Sequence, residues 1–191
     1  MIQGMDPGIW STFRRILFLP YLLLTLAVMA VLQASGSALK NEAAPQGIVS
    51  YELAGNLGRT QAILDSWDVS TKQTAAFNLG LDFLFIFLYA PAIAMACIWA
   101  GNIIGELARP FTGLGAALGW GQILAGLLDV VENGGLILML LNGVSEPWPA
   151  VSASAAKIKF ILIGLGLLYA ACGGFTWLID RLLRKRADIP V

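Results

Sequence analysis

The chain has 191 residues, of which 58% are hydrophobic and 13% are charged, and its mean hydropathy is +0.75. Soluble domains carry about 25% charged residues, so this composition indicates an integral membrane protein. Twelve basic residues balance twelve acidic ones, which gives no basic surplus for binding nucleic acid. Histidine is absent, and Cys97 and Cys172 lie singly in apolar runs. We therefore expect no metal site and no cofactor.

The first apolar run covers residues 16–34 and directly follows Arg14 and Arg15. Its basic flank and its small-residue end are also typical of a secretory signal. The run is longer than the usual apolar region of a signal, which is about 7–15 residues. We therefore interpret it as the first membrane helix, and cleavage after it stays an open alternative.

Residues 36–70 form a more polar loop, which we place outside the cytoplasm. Within residues 49–67, leucines at helical spacing alternate with charges, which predicts an amphipathic helix broken near Gly55 and Gly58. We expect this helix to lie on the mouth of the bundle or in the lipid headgroup layer, rather than to act as a lid or partner surface. The side chains expected at the loop surface are Glu52, Arg59, Asp65 and Trp67.

Three further apolar segments follow, and they predict helices over residues 79–101, 115–141 and 157–179. The sequence from Ser70 to Gln73 has the form of a capping box, and prolines in residues 142–154 indicate a turn. Small residues recur every four positions on these helices, which favours close helix packing. They are Ala92, Ala96 and Ala100; Gly115 and Gly119; and Gly166, Ala170 and Gly174.

The fold class is therefore all-α: a four-helix transmembrane bundle with an extracytoplasmic loop containing an amphipathic helix. We expect residues 1–191 to form a single membrane domain. Arginines cluster on one side of this topology, at Arg14, Arg15, Arg109 and residues 181–186. Because positive charge favours the cytoplasmic side, both termini are expected to be cytoplasmic, in the inner (plasma) membrane.

The third helix carries Asp129, Glu132 and Asn133 on one face near its middle, and Gln122 extends that face. Charges at bilayer depth cost about 2.5–3.5 kcal/mol on insertion scales, so this face should point into the bundle. We expect no basic residue at the same depth and therefore at least one protonated acid at neutral pH. The other members of this candidate polar site are Asp82, Tyr89 and Tyr169, with Lys157 or Lys159 available to Asp82 at the outer mouth.

Three segments carry a resemblance to known proteins: YELAGNLGRTQAILDSW in the loop, LGLDFLFIFLYA in the second helix and DVVEN in the third. With these segments the chain resembles small bacterial four-helix integral membrane proteins that have no assigned activity. The resemblance implies the topology and a bacterial inner-membrane location. Helix count alone gives a looser likeness to DoxX-like proteins.

For function, we expect a non-enzymatic bundle that acts as an accessory or assembly component. The alternative is binding or transport of a proton, a cation or a small ligand through the acidic face. An enzyme that modifies lipids or quinones is a third interpretation, although the sequence contains no catalytic motif and no catalytic residue is assigned. The expected partners are the lipid bilayer and either a larger membrane protein or a second copy of the chain, with no nucleic acid.

Overall fold

The computed structural model describes residues 7–107 and 112–187. These residues form six α-helices and a short 3-10 turn at Ser37–Leu39, and they contain no strand. The helices are α1 (Pro7–Gly36), α2 (Ile48–Glu52), α3 (Leu57–Ser66), α4 (Val69–Leu107), α5 (Thr112–Asn142) and α6 (Trp148–Ala187). Arg109, one of the charges used to orient the chain, lies outside the described residues.

Four of the helices are long and apolar enough to cross a membrane, which confirms the predicted fold class. The candidate spans are Phe18–Leu39, Val69–Gly105, Gly113–Asn142 and Trp148–Leu183. Each predicted helix lies inside an observed one, but the observed helices are longer at both ends. The chain is a multi-pass membrane protein with a helical bundle.

Helices α4, α5 and α6 form the packed centre, and α1 lies at its side against α4. Asn78 of α4 donates a hydrogen bond to Ser35 near the end of α1, with Nδ2 and Oγ 3.0 Å apart. Only 6% of the most apolar window of α1 is buried, compared with 44% for α4 and for α5. Most of the described surface of α1 is therefore available to lipid.

Glycines allow the central helices to approach closely. A Cβ atom at Gly115 would lie 2.7 Å from the Cys97 carbonyl oxygen, so the predicted Gly115 and Gly119 contact does bring α5 against α4. On α6 the close approaches are at Gly166 and Gly173. Gly174, which belonged to the predicted four-residue repeat, has no neighbouring atom within 4 Å.

Residues 37–68, which we call the cover segment, fold over the end of the bundle where α1 and α5 end and α4 and α6 begin. Its two helices are separated at residues 53–56, where Gly55 has a φ of +74°, so the predicted break near Gly55 is confirmed. Tyr51 donates to the Leu136 carbonyl on α5 at 3.0 Å, and Trp67 donates to the Leu39 carbonyl at 3.0 Å. The cover segment is therefore packed against the bundle.

One predicted helix start is wrong, and one predicted cap is displaced. Helix α4 starts at Val69, close to the start that the Ser70 box predicted, but Asp68 accepts a hydrogen bond from the Thr71 amide at 2.7 Å and caps the helix instead of Ser70. Helix α6 starts at Trp148 instead of residue 157. Pro149 falls in its first turn, where the missing N–H removes no helical hydrogen bond.

Candidate functional site

The most polar part of the bundle interior lies between α4, α5 and α6, directly below the cover segment. Asp129 and Glu132 project from α5 and are 3% and 0% exposed. About 20 Å of helix separates Asp129 from the end of α5 at Asn142, so the acids lie deep inside the span. The sequence-based expectation that these acids face inward is consistent with their burial.

Lys159 of α6 lies between the two acids. Its Nζ atom is 2.6 Å from Asp129 Oδ1 and 2.8 Å from Glu132 Oε2, and the residue is only 4% exposed. The expectation that no basic residue lies at this depth is therefore wrong. The error comes from the late predicted start of α6, because the true start places Lys159 about three turns inside the helix.

Two hydrogen bonds from α4 and α5 complete this arrangement. The Tyr89 hydroxyl donates to Asp129 Oδ2 at 2.9 Å, so both oxygens of Asp129 have a donor. Asn133 donates through Nδ2 to Asp82 Oδ2. The hydrogen-bond partner of Asp82 is thus an amide. The sequence had suggested Lys157 or Lys159 as its partner.

Like Lys159, Glu52 at the end of α2 lies in a different place from the one that the sequence predicted. It is 8% exposed instead of lying on the loop surface, and its carboxyl group is close enough to interact with Lys159, Asp129 and Glu132. Burial raises the pKa of the Glu52 carboxyl above its ordinary value of 4.5, and the charge of Lys159 opposes that change. The Glu52 side chain connects the cover segment to the cluster inside the bundle.

Of the other three predicted surface residues, one is buried and two are exposed. Trp67 is 2% exposed and its ring packs edge-on against Tyr51, with 5.5 Å between ring centroids, so its surface assignment is wrong. Arg59 and Asp65 are exposed on α3, as expected. The outer face of the cover segment is thus formed by α3, and its inner face carries Tyr51, Glu52 and Trp67.

Two residues of the predicted polar site do not join the cluster. Gln122 is buried, but its Nε2 atom donates to the Leu162 carbonyl at 2.8 Å, so it ties α5 to α6 about 10 Å along the helix from Asp129. Tyr169 lies ten residues beyond Lys159 on α6, which is about 15 Å along the helix. The predicted face therefore contains a cluster and a separate interhelical contact.

The polar cluster is defined by the following residues: Glu52, Asp82, Tyr89, Asp129, Glu132, Asn133 and Lys159. It contains four carboxyl groups and one ammonium group, so full ionisation would leave an excess of three negative charges. Such an excess is costly in a buried site unless protons, water or cations reduce it. The arrangement is therefore suited chemically to holding protons or another small cation.

Two acids of the cluster have unused hydrogen-bonding capacity. Glu132 Oε1 is fully buried and has no hydrogen-bond partner among the described residues, and Oε2 is held only by the ion pair with Lys159. Glu52 Oε2 is likewise buried without a partner there. Since an ionised carboxylate only accepts hydrogen bonds, a proton on either acid would supply the missing donor.

Within the described residues, no group of three or more histidine, cysteine or acidic side chains is arranged to hold a metal ion. Comparison with family models, with curated proteins and with solved structures gave no match to this chain.

Proposed function

We propose that this membrane protein binds and releases protons at the polar cluster and conducts them across the bilayer. The observation that carries the proposal is Glu132, which is fully buried, ion-paired to Lys159 and left with an oxygen that has no hydrogen-bond partner among the described residues. Because the hydrogen bonding of the Glu132 carboxyl group is already incomplete, this acid breaks few hydrogen bonds when it gains or loses a proton. Ionisable groups deep in a membrane protein commonly mark such proton pathways.

Packing alone gives no reason for this cluster. Buried ion pairs can often be replaced by apolar residues of similar volume without loss of stability, because the cost of removing charges from water offsets their attraction. Four acids around one lysine also exceed what a structural ion pair requires. A proton-binding role accounts for the extra carboxyl groups, since they provide alternative positions for the same proton.

Vesicles that contain the purified protein and a lumenal pH dye test this proposal. When a membrane potential is imposed, we expect proton flux above that of protein-free vesicles, and we expect Glu132→Gln to abolish it. Glu146→Gln, which changes an exposed acid between α5 and α6, is the matched control and should retain the flux. Equal flux for the wild type and Glu132→Gln, in vesicles with equal protein content, would overturn the proposal.

A second candidate function is that of an accessory subunit of a larger membrane protein or of a homo-oligomer. It is favoured by the position of α1, which packs against α4 and leaves most of its apolar surface exposed. Purification in a mild detergent should then recover a partner in fixed ratio, and changes to exposed α1 residues such as Leu23→Ala and Leu24→Ala should release it. Recovery of the chain alone as a monomer would contradict this function.

We also propose that the protein lies in a bacterial inner membrane with both termini in the cytoplasm and the cover segment outside. The arginine distribution supports this orientation, and Arg181 stacks on Trp177 at the end of α6 far from the cover segment. In a chain with both native cysteines replaced by alanine, an impermeant thiol reagent should label Ser37→Cys in intact cells but not Arg184→Cys. The opposite pattern would reverse the orientation.

A further inference from the structure

The contact between the cover segment and the polar cluster depends on one pair of acids. Tyr51 and Glu52 are neighbours at the end of α2, and they meet residues one turn apart on α5. Tyr51 donates to the Leu136 carbonyl at 3.0 Å, and Glu52 and Glu132 are both buried with carboxyl oxygens that lack a hydrogen-bond partner within the described residues. Two carboxyl groups in contact repel when both are ionised and form a strong hydrogen bond when they share one proton.

We infer that the exchangeable proton of the cluster is held between Glu52 and Glu132, and that its loss releases the cover segment from the bundle. This inference rests on the proposed proton-binding function. It assigns the site that holds the proton and the point at which the proton leaves the protein. The proton passes from the carboxyl pair to water at the covered end. Both acids are then ionised and lose the hydrogen bond that joined them.

The groups that surround the pair favour this location over the other acids. Asp129 already receives hydrogen bonds from Lys159 and Tyr89, so both of its oxygens have a donor, and Asp82 has the Asn133 amide as its donor. Glu132 has Lys159 on one oxygen only, and Glu52 Oε2 has no partner within the described residues. The pair is where a proton gains the most hydrogen bonding.

Opening of the cover segment would separate one continuous contact face from the bundle. Apart from Glu52, its buried inner face is mainly apolar. Leu39, Ile63 and Trp67 belong to one hydrophobic cluster that also includes Leu79 of α4 and Leu136 of α5. Its outer face on α3 is exposed, and no described part of a long helix covers it. Hinge movement of the whole segment therefore breaks the contacts with α5 while contacts inside the segment are retained.

Thiol labelling measures this opening directly. Cys97 and Cys172 are replaced by alanine, and Ala54, which is 5% exposed at the inner face, is replaced by cysteine. Ala62→Cys on the exposed face of α3 provides the reference rate, which corrects for the ionisation of the thiol itself. We expect the Ala54→Cys rate, divided by the reference rate, to rise at least tenfold between about pH 5 and about pH 9.

The carboxyl pair is tested by adding Glu52→Gln to the same background. The amide cannot ionise but can donate to Glu132, so we expect a low labelling ratio across the whole pH range. Glu42→Gln, at an exposed acid of the same segment, should leave the rise unchanged. A ratio that does not change with pH in the Ala54→Cys protein, or an equal rise with Glu52→Gln, would overturn the inference.

Failure of this inference and failure of the proposed function give different results. If the labelling ratio stays constant with pH while proton flux still depends on Glu132, the cluster conducts protons beneath a closed cover segment. If flux is absent but the ratio rises with pH and Glu52→Gln abolishes the rise, the acid pair controls the cover segment without conduction.

Discussion

Replacing Lys159 by methionine removes the only cation that the described residues place against Asp129 and Glu132. Breaking a buried ion pair on one side costs about 3–5 kcal/mol, because the remaining charges stay buried without compensation. For a chain of this size, each kcal/mol corresponds to about 2–4 °C in the unfolding midpoint, so we expect a decrease of about 6–20 °C. Thermal unfolding in a mild detergent, followed by circular dichroism, measures it.

Lys157→Met is the matched control, since Lys157 is exposed on the same helix two residues away. It should change the midpoint little. The effect of Lys159→Met should be smaller near pH 5 than near pH 8, because protonated acids carry no charge to bury. Adding Asp129→Asn to Lys159→Met should recover part of the loss. Equal midpoints for the two methionine variants would refute the ion-pair account.

Three other predictions concern packing, hydrogen bonding and pH. Gly173→Ala should destabilise the bundle by about 1–3 kcal/mol in the same assay, because the added methyl group would overlap α4; Gly174→Ala, with open space, should be neutral or stabilising, and equal losses would contradict the packing. Tyr89→Phe should cost about 1–3 kcal/mol by removing a buried donor to Asp129, and no loss would show that this bond contributes nothing. The raised pKa of Glu52 predicts that the free energy of unfolding of the wild type falls as the pH rises above 4.5. Glu52→Gln should flatten this pH dependence, and an unchanged slope in that variant would contradict the prediction.

The long apolar helices could be predicted from the sequence because bilayer thickness and backbone hydrogen bonding fix their length and composition. The inward direction of the Asp129 face could also be predicted, since polar residues at helical spacing share one side. Hydropathy is a poor guide to helix ends, and α6 extends nine residues further towards its N-terminus than predicted. That difference moved Lys159 from the mouth of the bundle into its interior.

The position of Glu52 could not be predicted from local pattern. The sequence around it predicts an amphipathic helix, but it does not state which bundle helix covers the apolar side. One feature offered a partial signal: Gly55 permits the turn that returns the chain over α5. Only the tertiary arrangement joins Glu52 to Glu132.

Infrared spectroscopy of the carboxyl groups tests the central claim most directly, because a protonated buried acid absorbs apart from a carboxylate. Spectra of the wild type, Glu132→Gln and Glu52→Gln are compared at neutral pH, with Glu146→Gln as the exposed control. We predict a protonated-acid band in the wild type that is lost in both Glu132→Gln and Glu52→Gln, because the shared proton requires both acids. A wild-type spectrum without this band, or a band that survives both substitutions, would contradict the claim that the cluster holds a proton.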